Sequence, residues 1–335
     1  MSHFRFLTRF LAVAVFLSAL GVSCSWFGPP PPVARHGQLS IRDRTLVDSH
    51  GVPVQLRGFS SQTLSSGDIF FSPRYLAELR DKFDCDVVRA AMYDDDPFAM
   101  GYLTNPGLKK TMETVVKDAT KAGLYVIIDW HILRDNDPLF HLKEAKVFFA
   151  AIAQEFHQYN NVFYEICNEP NGDNVTWEGN IRPYAEQVLS VIRAYDKHNI
   201  VIVGTPHWSQ DVDQAALDPL PDPRVMYTMH FYAGTHKQEL RDKTLQALQT
   251  IPIFCTEMGA TDASGNGSVY PQELKTWMDF LDAHNLSWCN WNLSSFTEGS
   301  AALQATFSPE VDNLADRLTA SGTLIKAYMT RGRSK

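Results

Sequence analysis

The chain has 335 residues, 44% of them hydrophobic and 20% charged, with a formal net charge of -8 and a pI near 5.7. That length suits either one large α/β barrel or two ordinary domains. The acidic balance, with no long Lys/Arg tract beyond the extreme N-terminus, argues against a nucleic-acid partner and favours a neutral ligand.

In chain order, the first segment is a targeting signal, residues 1–23. Arg5 and Arg9 flank the start of FLAVAVFLSALGV, an apolar run too short to span a membrane comfortably. It ends in GVSC, similar to a bacterial lipoprotein processing site in which Cys24 becomes the lipidated N-terminus, although Gly21 stands where Leu is usual. The expectation is an exported cell-envelope lipoprotein, on the outer membrane or cell surface, that touches membrane only through its lipid; ordinary secretion with cleavage near Ser23 is the alternative. Residues 24–37, with four consecutive prolines, read as a stiff extended spacer. The single folded domain is expected over 38–335, opening with a hairpin in QLSIRDRTLVDSHGVPV. Cys85, Cys167, Cys255 and Cys289 lie in or beside apolar runs without CxxC spacing, as buried thiols do, although export permits a disulfide.

From Gln38 onward, short β-rich runs alternate with amphipathic helical stretches. The predicted strands are 54–59, 86–93, 124–131, 161–169, 199–205, 225–232, 251–259 and 286–292, most of them continuously apolar, as strands covered on both faces are. Helices are predicted at 72–83, with Ser72 as N-cap and Pro73 opening the first turn, and at 106–123, stopping on Gly123. Others are predicted at 143–159, 180–197, 237–249, 271–284 and 318–330. The alternation implies an α/β fold, a (β/α)8 TIM barrel. An open doubly wound sheet is the alternative, but no GxGxxG or P-loop follows any run.

In such barrels the chemistry sits at the C-terminal strand ends. Arg89 lies late in the second run, and His131 ends the third. Asn168 and Glu169 end the fourth, His230 and Tyr232 the sixth, Glu257 the seventh and Trp291 the eighth. Any one of these is more often a packing residue than a functional one; their convergence on one rim points to a site. Glu165, in mid-strand, reads as a buried hydrogen-bonded group without chemistry. Two facing carboxyls with an aromatic floor suit glycoside hydrolysis, one protonated to serve the leaving oxygen and one ionised to attack the anomeric carbon. Arg89, His230 and Tyr232 are expected to hold Glu257 anionic, and that charge to raise the pKa of Glu169. Asn168 is placed to bind the 2-hydroxyl of the reacting sugar, with Trp291 stacked beneath it. His131, His230 and His236 lie near rim loops, but no HExxH or His-x-His pair occurs, so no catalytic metal or cofactor is expected; there is no GxSxG elbow either.

The motifs VVRAAMY, YVIIDWHI, VFYEICNEPNG, HFYAGTH and WCNWNLS, spread from about Gln38 to Tyr328, resemble glycoside hydrolase family 5, specifically the bacterial endo-β-1,4-glucanases (cellulases) of its subfamily 2. The resemblance implies a retaining endoglucanase with Glu169 as acid/base and Glu257 as nucleophile. Arg89, His131, Asn168, Trp208, His230, Tyr232 and Trp291 would then bind substrate or support the pair. The implied partner is a soluble cellulosic or mixed-linkage β-glucan, with xylan or mannan as weaker alternatives, handled by a monomer. A different class, a non-catalytic surface glycan-binding lipoprotein, would tolerate loss of the carboxylates, which this chain keeps. Departures bear on specificity: SSQTLSSGD puts Gln62 at a usual His and Ser66 at a usual sugar-stacking Trp, Met258 replaces the Trp of EWG, and Phe296 stands where Lys is common. Phe70 or Phe71 is the candidate to replace the platform lost at Ser66. No separate carbohydrate-binding module is visible, so crystalline cellulose is not the expected substrate.

Overall fold

A computed structural model describes residues 29–95 and 100–333; the side chains of 67–68, the export segment 1–23 and Cys24 lie outside the described residues. The strands are β1 (Arg57–Ser61), β2 (Val87–Tyr93), β3 (Tyr125–His131), β4 (Val162–Glu165), β5 (Ile200–Val203), β6 (Val225–Thr228), β7 (Ile253–Gly259) and β8 (Trp288–Leu293). Neighbours pair in parallel in that order, and β8 pairs with both β7 and β1, which closes a (β/α)8 barrel.

The pleat divides each strand between two cores. On β2, Val88, Ala90 and Met92 face outward to the helices, while Val87 and Arg89 face the lumen; on β3, Val126, Ile128 and Trp130 face out, and Tyr125, Ile127 and Asp129 alternate with them. The lower lumen is filled by Val87, Tyr125, Ile127, Phe163, Ile200, Ile202, Met226 and Phe254. It is plugged from below by Leu39, Leu46 and Val54 of a hairpin that pairs Ser40–Arg42 with Thr45–Val47. Apolar packing thus ends partway up the barrel, and polar side chains begin there.

Helices α1 (Pro73–Phe83), α2 (Leu108–Ala122), α3 (Leu142–Phe156), α4 (Arg182–Tyr195), α5 (Val212–Leu217), α6 (Gln238–Ala247), α7 (Pro271–Ala283) and α8 (Ala320–Thr330) follow the strands. Gly123 stops α2 in the left-handed region at φ 73°, as its sequence position predicts. Ser72 sits at the N-cap of α1 but its side chain makes no capping bond. The helix after β5 is absent from the predicted set, because VDQAAL is too short to show a helical period.

Three expectations change. Asn168 and Glu169 are not strand residues: β4 stops at Glu165 and they follow in a buried turn. The sixth run breaks after Thr228 and resumes as Phe231–Tyr232, which pairs with β7. The expected spacer is shorter than 24–37, since Pro32–His36 forms a helical turn with Pro32 buried, Val33 N–H donates to Gly123 O at 3.0 Å, and Tyr125 Oη donates to Gly37 O at 2.6 Å. The compact unit accordingly runs from Pro31. Cys85, Cys167, Cys255 and Cys289 are free and buried.

Candidate active site

A cleft of about 480 Å³ opens at the C-terminal ends of the strands, and its walls include Glu169, Glu257, His131, His230, Tyr232, Trp291 and Trp208. Arg89 and Asn168 do not line it; both are fully buried beneath it.

Glycine and irregular backbone aim the two carboxylates. A Cβ on Gly204, just after β5, would stand 2.3 Å from Cys167 O and 2.9 Å from Asn168 O, so only glycine leaves room for the turn carrying Asn168 and Glu169. On β7 the register shifts between Cys255 and Met258. Such an irregularity lets successive residues face one side, and here Thr256 and Glu257 both bond groups in the barrel centre. Oxygens of Glu169 and Glu257 and a nitrogen of His230 all lie within 4.8 Å of one another.

Arg89 is the hub. Its guanidinium meets Glu165 Oε2 at 2.7 Å, Asp129 Oδ2 at 2.9 Å and Glu257 Oε2 at 3.1 Å, and donates to Asn168 Oδ1 at 2.6 Å. Asn168 Nδ2 in turn donates to Ile132 O at 3.1 Å and approaches His131 Nε2 at 3.3 Å. Both ends of the amide are therefore engaged, which leaves Asn168 under the cleft and not on its wall. His131 is oriented by Asp129, 2.7 Å from its Nδ1, and its ring stacks at 5.2 Å on Trp291.

Glu257 is gripped at both oxygens, by Arg89 and by the Tyr232 hydroxyl at 2.7 Å. His230 lies near Glu257 but makes its hydrogen bond elsewhere: its Nδ1 is 2.9 Å from Glu169 Oε1. Burial raises both carboxyls, Glu169 to about 8 and Glu257 with a further push from Glu169, against the pull of His230 and Arg89. Desolvation, more than the neighbouring negative charge, is thus what keeps Glu169 protonated.

Thr256 fixes where that proton sits. Burial lowers His230 to about 4, so its ring is neutral and carries one hydrogen. The Thr256 hydroxyl donates to Glu165 Oε1 at 2.7 Å, a carboxyl that burial raises while the Arg89 fork engages both of its oxygens, so the hydroxyl accepts from Thr228 Oγ1 at 2.6 Å and His230 Nε2 at 3.0 Å. Nε2 therefore bears the ring hydrogen, Nδ1 offers a lone pair, and Glu169 supplies the hydrogen between them. Sequence reading missed Thr256 and Asp129, since a Thr or Asp inside an apolar run gives no periodic signal, and gave Glu165 its buried structural place.

The departures also find their places. Gln62 lines the cleft, Ser66 is exposed outside its walls, and Met258 is buried in the core. Phe70 packs on Phe307 and Tyr75, and Phe71 is 1% exposed, so neither replaces the missing platform.

The sequence matches the family described as Cellulase (glycosyl hydrolase family 5) over residues 47–297. It is 47% identical over 292 residues to "Endoglucanase" of Clostridium saccharobutylicum, covering 87% of this chain and 64% of the relative. It is 44% identical over 328 residues to "Endoglucanase 5" of Pectobacterium carotovorum subsp. carotovorum, covering 97% of this chain and 64% of the relative, so it spans about two thirds of the length of either. Among solved structures, "Cellulase Cel5C_n" superposes with a TM-score of 0.88 at 40% identity, covering 92% of this chain and 96% of that one. The catalytic domain of Thermobifida fusca endoglucanase Cel5A, in complex with cellotetraose, gives 0.84 at 35% identity over 90% of this chain and 100% of that one. Fold, site and sequence agree: this chain belongs to glycosyl hydrolase family 5.

Proposed function

We propose that the protein is a retaining endo-β-1,4-glucanase acting on soluble cellulosic or mixed-linkage glucans. The observation that carries this is the pair Glu169 and Glu257, with oxygens within 4.8 Å across one cleft, one protonated against His230 and the other gripped by Arg89 and Tyr232. Retaining enzymes hold their carboxyl groups about 5–5.5 Å apart, whereas inverting ones leave roughly 6.5–9.5 Å for a water. In the first step a Glu257 oxygen bonds to the anomeric carbon as the glycosidic C–O bond breaks, and the Glu169 proton passes to the departing oxygen. In the second, Glu169 takes a proton from water, the water oxygen bonds to the anomeric carbon, and the bond to Glu257 breaks, which restores both groups. The names of the relatives and a neighbour's complex with cellotetraose support a β-1,4-glucan as substrate. The fully furnished carboxyl pair speaks against a glycan-binding protein without catalysis.

Proton NMR of the first-formed anomer tests the reading: the β-anomer is expected ahead of mutarotation, and early α-anomer overturns it. Glu257→Ala should abolish turnover, with azide yielding an α-glycosyl azide. A reducing-sugar assay on soluble β-glucans, xylan and mannan reads the preference. We further propose anchoring through lipidated Cys24, supported by the apolar run and GVSC ahead of it. Acyl label entering wild type but not Cys24→Ser is the expected outcome, and equal membrane retention of both refutes it.

A further inference from the structure

We propose that Asp94, Asp135 and His141 form a divalent-cation site, of the kind that takes zinc, in the loops beside the cleft. Asp94 directly follows β2, Asp135 lies in the loop after β3, and His141 closes the short 3₁₀ turn Pro138–His141. One donor atom from each lies within 4.8 Å of the others. The two carboxylates are furnished alike. Asp94 Oδ1 accepts the N–H of Asp95 at 2.8 Å, and Asp135 Oδ1 accepts the N–H of Leu133 at 3.1 Å. The second oxygen of each, Oδ2, is buried and is reached by no N–H or hydroxyl donor. Asp94 is only 1% exposed, so that oxygen is shut from solvent, and Asp135 is the acidic neighbour in reach of it.

A buried acceptor without a donor is costly, and two acceptors facing each other cost more. Either a shared proton or a cation must lie between them. The two carboxylates also repel each other across that short distance. A cation removes that repulsion, and His141 supplies the ligand a proton would not need. Its half-buried ring sits at the open side, with Asp95 Oδ2 3.6 Å from Nε2. Two carboxylates and one imidazole favour a borderline cation such as zinc over calcium, which takes oxygen ligands. Ligands around one zinc ion stand roughly 3.4 Å apart at bond lengths of about 2.1 Å, so the cluster needs to close by up to about 1.4 Å. Tyr93 and His131, whose rings meet at 4.2 Å, immediately precede these loops and line the cleft, so an ion here would brace one wall.

The experiment uses the full chain, stripped with EDTA and titrated with zinc chloride at pH 7.5 by calorimetry and thermal melting. The Glu257→Gln variant is titrated in parallel, because Glu169, His230 and Glu257 form a second cluster able to hold a cation. Expected is one zinc per chain that survives in Glu257→Gln, with Tm rising by about 4 °C at a hundredfold excess over Kd. Asp94→Asn should lose that shift without lowering the Tm of the stripped protein, and His141→Ala, at the half-buried edge, should weaken binding at least tenfold. If Asp94→Asn fails to fold, His141→Ala alone carries the test. The proposal is overturned if zinc binds equally to His141→Ala, if binding disappears in Glu257→Gln, if no zinc binds at about 100 μM, or if calcium but not zinc raises Tm.

Discussion

In the proposed reaction Glu169 donates a proton at a pH where ordinary carboxyls have lost theirs, and two features of its surroundings favour this. Burial lifts it to about 8, and the Thr256–His230 chain turns an acceptor nitrogen toward it. The alkaline limb of kcat/KM is therefore expected near pH 8. Thr256→Val keeps the shape and removes the hydroxyl that sets the ring; losing a buried hydrogen bond worth ~1–2 kcal/mol should cut kcat about 5- to 30-fold and move the alkaline limb to lower pH. An unmoved limb with only KM changed would contradict the relay. The same burial has a stability consequence. Between the ordinary value of 4.5 and about 8, the folded chain holds a proton that the unfolded chain releases. Stability contributed at this carboxyl is therefore present below 4.5 and lost as pH rises through that window. Glu169→Gln should melt at a higher temperature than wild type at pH 7.5, with the gain gone at pH 4, as differential scanning calorimetry at the two pH values would show.

Among the elements, the barrel strands were legible in the sequence because both of their faces are covered. Continuous apolar runs bounded by polar ends then mark most strands to within two or three residues, as Tyr125–His131 and Val87–Tyr93 illustrate, whereas β4 and β6 stop four residues before their runs do. Their polar ends gave away Glu169, Glu257, His131 and Trp291 for the same reason. What stayed hidden depends on contacts between strands. His230 follows a break in β6 that brings it into hydrogen-bond reach of Glu169, and Thr256 is paired with Thr228 and Glu165 from strands distant in sequence. Asp94 and Asp135 carry no signal in the sequence, since nothing in their spacing shows that the loops after β2 and β3 meet. At the loop after β1, Ser66 is exposed, and both nearby phenylalanines are committed to the core. Sugar rings stack on indole with a contact worth on the order of 1 kcal/mol. Ser66→Trp should accordingly improve kcat/KM on cello-oligosaccharides by about fivefold, measured against unchanged activity on long polymers; a neutral variant would mean that this loop lies off the path of the substrate.

At the scale of the molecule, the two ends of the barrel do different work. The catalytic end gathers buried carboxylates around Arg89, while the floor gathers arginines around Asp86. Asp86, 1% exposed, binds Arg35 at 3.0 Å, accepts the Arg57 N–H at 3.1 Å, and pairs with Arg333 beyond α8. Both flanks of the chain are thus fastened to one carboxylate at the foot of β2. Removing one member of a buried charge cluster costs roughly 3 kcal/mol. Asp86→Ala should lower stability by about that much in urea titration while leaving kcat unchanged, and a comparable loss of kcat would show that the floor is coupled to the chemistry.

The point where the chain joins the barrel sets how it would face a surface. Pro31 lies against Gly123 at the foot of β3, and the cleft opens at the opposite ends of the strands. If the proposed lipidation holds, attachment reaches the barrel at its base and leaves the rim clear of the point of entry. A glucan strand could then cross the rim sideways without passing between protein and membrane. Attachment would set no upper limit on the length of polymer that can be cut.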